Sequence, residues 1–267
     1  MFKLASITLC FGVLTQAQPA PIPDTPTLLK ELQAQQRKMD QIRENYTFHR
    51  IRQVDDVDQN GSVKKTTTEE REIFFVNGRQ IGRLVKKNGV NLSVSEDKSE
   101  QARVKKLVEQ FMKPTPPRAG FSSLTSTILA VAKVSNPRRI SLNSRDTLTF
   151  DFVGDPKARA QDTVQNIAKK VRGTLWVDEA DRQVARLEVT FDDNFRMGGG
   201  LLASIQKGSN VKVEQAPVGQ GLWLESSNEQ HVAARIVVKS LRQNIHVKNF
   251  DFKRFDVGMV QQVSPPR

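Results

Sequence analysis

The run Gly173-Thr174-Leu175-Trp176-Val177-Asp178, followed after a short polar connection by Gln183-Val184-Ala185-Arg186-Leu187-Glu188-Val189-Thr190-Phe191, decides the fold class. Apolar and polar residues alternate along both segments, the period of a strand with one buried face. The pair therefore predicts an antiparallel hairpin, and burial selects its register. An even loop sets Trp176 against Ala185 and Leu175 against Arg186, mixing polar and apolar groups on one face. An odd loop pairs Leu175 with Leu187, Trp176 with Arg186 and Val177 with Ala185, which keeps one face wholly apolar. We adopt the odd loop. It leaves Trp176 on the wetter face, where the Arg186 guanidinium stacks on its ring.

Further hairpins flank this one. Tyr46–Val57 and Val63–Val76 read as strands around Asp58-Gln59-Asn60-Gly61. Phe74-Phe75-Val76 then meets Asn77-Gly78, a dipeptide that tolerates positive φ at both turn positions. A two-residue turn there pairs Phe74 with Ile81 and Glu72 with Arg83. Strands are expected at 140–142, 147–153, 201–206, 210–215, 221–225, 231–239 and 245–255. Four helices interrupt them. Residues 26–44 carry Leu28, Leu32, Met39 and Ile42 at helical spacing after Thr25-Pro26, read as N-cap and first helical residue. A second helix starts at Ser93 and Glu96, a capping box, and bears Val104, Leu107, Val108 and Phe111 on one stripe. Lys113-Pro114 stops it. A third opens at Ser122-Ser123, with Leu124, Ile128 and Val131 on one face. A short fourth is expected at 158–170, with Val164, Ile167, Ala168 and Val171 on one side.

The N-terminus has a different character. Met1-Phe2-Lys3 precedes an apolar run from Leu4 to Leu14 and then Thr15-Gln16-Ala17-Gln18. A basic start, a short apolar stretch and a small-residue site make a secretory leader cleaved between Ala17 and Gln18. The run is shorter than the ~20 residues that cross a bilayer. Residues 1–17 are thus read as leader, 18–25 as a Pro-rich linker, 26–257 as one domain and 258–267 as a tail. The expected location is periplasmic or secreted. Cys10 is the only cysteine and falls within the leader; Leu9 stands before it where a lipid-attachment site wants a small residue. A mature chain cleaved after Ala17 has no thiol for disulfides, nucleophilic attack or metal binding.

The 267 residues carry a formal charge of +12, from 41 Lys and Arg against 29 Asp and Glu. Hydrophobic residues make up 37 %, too few for a multi-span membrane protein, and 15 Gly with 12 Pro are too few for a collagen-like chain. A strong positive charge outside the cytoplasm favours anionic surfaces such as lipid headgroups. Nucleic acid is not expected as a partner, with one tyrosine and an export signal.

Reactive constellations are sparse. His49, His231 and His246 are scattered, and no nucleophile elbow, zinc-helix motif or Walker lysine occurs. Asp56-Val57-Asp58-Gln59-Asn60-Gly61-Ser62-Val63 imitates the first eight places of a calcium loop, but Thr67 stands where the bidentate Glu belongs. Strand-like flanks make it a hairpin turn. Met197-Gly198-Gly199-Gly200-Leu201 lacks the Lys-Ser/Thr of a phosphate cradle. Asp192-Asp193 and Glu69-Glu70 point to opposite faces if on strands, which makes them poor acid–base pairs. No enzyme activity, cofactor or metal is expected.

The Gly173–Asp178 and Gln183–Glu188 hairpin resembles the "G-x-L-W-[VI]-D … V-x-R-L-E" hairpin of the periplasmic lipoprotein carrier superfamily (LolA/LolB type), and in particular its outer-membrane lipoprotein-sorting-like members. Tyr46-Thr47-Phe48, Phe74-Phe75-Val76-Asn77-Gly78, Gly198-Gly199-Gly200-Leu201-Leu202 and Leu222-Trp223-Leu224 also resemble that group, over roughly residues 40–260. The resemblance implies an α+β fold: a strongly curved antiparallel sheet, an unclosed β-barrel, with helices lidding the concave face. It further implies a cavity for acyl chains and no catalysis. The anchoring cysteine of the LolB type is absent from the mature chain, and no receptor-binding segment is matched. The expected ligand is a lipid or lipoprotein acyl chain, with Phe74, Leu175, Val177, Leu187, Val189, Phe191, Ile236 and Val238 as candidate lining. The alternatives are an envelope-sensing module that binds an envelope membrane protein, and a module for basic binding to polyanions.

Overall fold

In a computed structural model the described residues are 21–113, 121–197, 203–219, 221–236 and 239–254. The leader with Ala17 and Gln18, the Gly198–Leu202 run, Val238, the Pro114–Pro117 stop and the 258–267 tail lie outside them.

Helix α1 (Thr25–Arg43) starts one residue earlier than the sequence suggests. Asp24 is the N-cap, its carboxylate accepting the Thr27 N–H, and Pro26 sits in the first turn, where its missing N–H costs nothing. Strands β1 (Tyr46–Val57), β2 (Val63–Val76), β3 (Arg79–Lys87) and the two-residue β4 (Val90–Asn91) follow as hairpins. Asn77 and Gly78 have φ of 48° and 73°, and Phe74 faces Ile81 as Glu72 faces Arg83. Helix α2 (Val94–Met112) is opened by the Ser93/Glu96 capping box. Helix α3 (Phe121–Ala130), β5 (Ala132–Leu142), β6 (Arg145–Gly154) and α4 (Thr163–Ala168) lead into β7 (Val171–Asp178) and β8 (Val184–Phe191). The chain closes with β9 (Phe195–Met197), β10 (Ala203–Ile205), β11 (Asn210–Gly219), β12 (Leu222–Ile236) and β13 (Lys239–Arg254).

One antiparallel sheet of 13 strands results, in the order β4-β3-β2-β1-β13-β12-β11-β8-β7-β6-β5, with β10 and β9 attached beside β12. It does not close, since β4 and β5 remain at its two ends, and it forms a curved half-barrel. The N-terminal hairpins join the sheet through β1 pairing with the last strand, β13.

Other elements also differ from the sequence reading. Helix α4 spans six residues, because Asp162 caps it at Gln165 and Val171 is drawn into the sheet opposite Phe191. Strand β5 runs through Pro137: it is an edge strand, and a register shift between Ser135 and Arg138 removes that stretch from the ladder. The expected strands at 221–225 and 231–239 are one strand, β12, because backbone pairing on both sides holds the polar stretch between them. Val177 faces Val184, one residue off the predicted Ala185. A bulge follows Trp176, and Val184 and Ala185 are both buried. The rest of that hairpin keeps the predicted pairs, Leu175 with Leu187 and Trp176 with Arg186, and the Arg186 guanidinium lies 5.4 Å from the Trp176 ring centre.

The main core lies between the sheet and three helices. Leu28 and Leu32 of α1, Ile128 of α3 and Ala168 of α4 cover Leu148, Phe150 and Phe152 of β6 and the inner residues of β7 and β8. Gly173 is required under Phe152: a Cβ there would stand 2.7 Å from the ring and 1.8 Å from the Glu188 carbonyl oxygen. Helix α1 then crosses to a second, smaller cluster, where Met39 meets Tyr46, Leu222 and Leu224.

Helix α2 does not join this roof. Its partners are Arg79, whose guanidinium lies over Phe111, and Arg83, paired with Asp97. Those two residues alternate with Gly82, but Arg71, on the face of Gly82 and Ile73, also approaches Glu100 (4.0 Å), so α2 is reached from both faces of the sheet. It also covers the outer edge of β3. The Leu84 N–H donates to Glu100 (2.6 Å) and Arg103 donates to the Gly82 carbonyl (2.6 Å), so an ion pair occupies the positions of a missing strand.

Candidate functional site

The W-V-D hairpin is the rigid frame of the site. Asp178 ends β7 fully buried, and its carboxylate accepts from Arg145 (2.9 Å) and from the Asp181 N–H (2.7 Å). Burial opposes its ionisation, but Arg145 and the loop N–H groups outweigh that and hold the carboxyl below its usual range. Arg145 also reaches Asp181 (2.8 Å), which accepts the Trp223 Nε1–H (2.9 Å), while the guanidinium lies 5.3 Å from the Trp223 ring centre. The Trp-Val-Asp and Leu-Trp-Leu motifs thus meet across the sheet through one arginine. Nothing in the spacing of Arg145 and Trp223 shows this pairing.

Leu175, Val177, Leu187 and Phe191 come together on one face with Val189 packed beside them. The space above them is filled by Leu28, Leu32 and Ile128, so these residues are core, and a ligand enters there only by displacing helix side chains. Phe74 is not with them: it stands across from Ile81, on the face opposite that of Ile73 and Phe48, because successive strand residues alternate. Ile236 shares the core's face but lies beyond the roof, 53 % exposed.

The open part of that face is traced by register. Phe195, within the core, is opposite Ile205, Ile205 opposite Ala234, and Ala234 opposite Leu241, an apolar row across four strands. Ile236 faces Lys239 in the next row. In the other direction along β12, Gln230, Ile245 and Val54 align, while Gln243 donates to Asp56 (2.8 Å) between them. The Gln243–Asp56 row is polar but satisfies itself, so the apolar part of this stretch is the Phe195–Leu241 row, with Ile236 beside Lys239. Sequence reading identified Ile236 but missed Ile205, Ala234 and Leu241, whose alignment depends on the β10–β12 and β12–β13 pairings.

At the Phe195 end of the track a depression of about 910 Å³ opens between α4 and the β8–β9 connection. Thr163, Asn166, Lys169, Lys170 and Arg196 line it with Phe195. Lys170 is fixed by Asp193 (2.6 Å) and the Asn194 carbonyl oxygen (3.1 Å), and this lysine holds the Asp193 carboxyl below its usual range. Three cationic side chains stand against that one carboxylate, so the depression suits an anion.

Among the described residues no group of three or more His, Cys, Asp or Glu could hold a metal ion. The Asp58 carboxylate accepts the Asn60 and Ser62 N–H groups, which makes Asp58–Gly61 a hairpin turn. None of the described helices is long and apolar enough to cross a membrane.

No family model matches the chain, and no curated protein matches it. Among solved structures it is similar to an outer membrane lipoprotein-sorting protein domain from Vibrio parahaemolyticus. That match has 11 % identity and a TM-score of 0.41, and covers 88 % of this chain and 95 % of that one. A DUF1329 family protein from Desulfovibrio piger is similar at 10 % identity and a TM-score of 0.33, over 86 % and 94 % of the two chains. The Pseudomonas aeruginosa MucA/MucB complex contains a chain similar at 10 % identity and a TM-score of 0.27, over 85 % and 100 %. These likenesses concern overall form; the half-barrel class rests on the strand order itself.

Proposed function

We propose that this chain is a non-catalytic binding protein of the bacterial cell envelope that shelters the acyl chain of an anionic lipid or lipoprotein. The hydrocarbon lies on the open track of Ile205, Ala234, Ile236 and Leu241, and the acidic headgroup sits at Lys169, Lys170 and Arg196. The observation that carries this reading is the continuity of the face: the row that begins in the core at Phe195 runs on past the last helix and stays apolar. Each methylene moved from water onto such a surface contributes up to ~0.8 kcal/mol, so one chain gives firm but reversible capture. The leader read at Met1–Ala17 supplies the export that an envelope ligand requires.

Native mass spectrometry of the secreted protein, before and after delipidation, tests it. One lipid should be carried per chain, and delipidated protein should bind a short-chain phosphatidylglycerol saturably. Ile236→Asp should weaken that binding at least tenfold with an unchanged melting temperature. A delipidated protein that takes up no phospholipid, fatty acid or triacyl lipopeptide overturns the reading.

A further inference from the structure

We propose that the outward face of α2 is a docking surface for an anionic lipid bilayer. The helix divides its charges by side. Glu96 pairs with Lys87 (3.0 Å), Asp97 with Arg83 (3.0 Å), and Glu100 with the Leu84 N–H and Arg103, all toward the sheet. Three of its four acids are consumed in this way, and Glu109 alone remains on the outside. Lys98, Lys105 and Lys106 are exposed and enter none of the ion pairs among the described residues.

The apolar groups on this side are out of place for a solvated helix. Val94 is 90 % exposed and Met112 65 %, and Val90 of β4, just before the helix, is 69 % exposed. At 3.6 residues per turn Val94, Lys98, Lys105 and Met112 fall within about 40° of one another, on a line about 27 Å long. Lysines flanked by projecting apolar side chains are what a bilayer surface takes: the bases meet phosphates while valine and methionine enter the headgroup region. A helix surface is convex along its length, which fits a flat bilayer better than the recessed surface of a folded acidic protein. The excess of Lys and Arg over Asp and Glu adds long-range attraction.

Co-sedimentation with vesicles tests the surface and is independent of acyl-chain capture. The wild-type chain should bind vesicles of equimolar phosphatidylcholine and phosphatidylglycerol, bind pure phosphatidylcholine vesicles weakly, and lose affinity as salt rises. Each lysine near an anionic surface contributes about a fivefold factor in affinity. Lys98→Glu with Lys105→Glu should therefore lower affinity by at least tenfold, and Val94→Asp with Met112→Asp should lower it several-fold. Lys64→Glu with Lys248→Glu makes the same change in net charge elsewhere and should matter less than twofold. Circular dichroism and melting curves establish that each variant is folded. The proposal falls if anionic vesicles do not bind, if the control pair weakens binding as much as the α2 pair, or if binding survives both α2 variants.

Discussion

Strands β6, β7 and β8 hold their inner face by burying Phe150, Leu148, Leu175 and Leu187 beneath Leu28, Leu32 and Ile128, whereas β1 and β13, beyond the Met39 cluster, pair polar groups on theirs. On that face Asp56 accepts from Gln243 and Arg50 donates to Asn249. In the roofed part, apolar area removed from water supplies stability and leaves no room for a ligand. In the open part, long strands with two paired neighbours need no roof, because the backbone ladder satisfies itself and the side chains satisfy one another. That freedom leaves Ile236 uncovered. The two parts show how one sheet can be stiff at one end and receptive at the other.

The contrast can be broken by substitution. Phe150→Ala in the roofed part should cost ~3–5 kcal/mol by denaturant unfolding, since no neighbour can collapse into the hole. A loss from Ile245→Ala as large would show the open part to be an equal core.

Arg145→Ala should cost ~2–3 kcal/mol, because it strands the buried Asp178 carboxylate, though Arg145 itself is partly hydrated. The folded Asp178 carboxyl lies below its unfolded value. Its stabilising share is therefore complete above the ordinary carboxylate range and is lost as pH falls through that range. Melting curves from neutral to acidic pH should show a steeper loss for wild type than for Arg145→Ala with Asp178→Asn.

Glu100→Ala should cost ~1–2 kcal/mol and act locally, speeding hydrogen exchange at the Leu84 amide while Leu175 and Leu187 amides stay protected. Ser93→Ala should cost about 1 kcal/mol. The Glu96 carboxyl, held by the Ser93 N–H and hydroxyl and by Lys87, is lowered from 4.5 to about 2. The capping box therefore loses its carboxylate only as pH falls across that interval, and helicity of α2 should decline there. Ile236→Ser should be the smallest change, under about 0.5 kcal/mol in stability.

Local chemistry was legible where neighbours in sequence are neighbours in space. Asn77-Gly78 dictated its hairpin, Ser93 and Glu96 their box, and the alternation around Trp176 its pairing with Arg186. The helix over 158–170 shrank because Val171 pairs with Phe191, a contact the helical periodicity could not reveal. Phe74 was drawn into the candidate lining by its hydrophobicity, yet strand parity turns it away from the face of Ile73 and Phe48. Among the candidate residues, Leu175, Val177, Leu187 and Phe191 read correctly as a shared apolar face, but the sequence has no means of stating that α1 already occupies it.

Alternation, turn dipeptides and caps are properties of a few adjacent residues, and the sequence alone therefore determined most of the strands and helices, the Asn77-Gly78 hairpin register, and the Trp176 hairpin register up to its bulge. Strand order, the union of β1 with β13, the seating of α2 along the edge of β3, and the row from Phe195 to Leu241 were decided only in three dimensions. The physical reason is that a strand's period states which residues share a face, while which strand lies beside it, and what covers that face, depends on the burial and polar pairing of the whole chain.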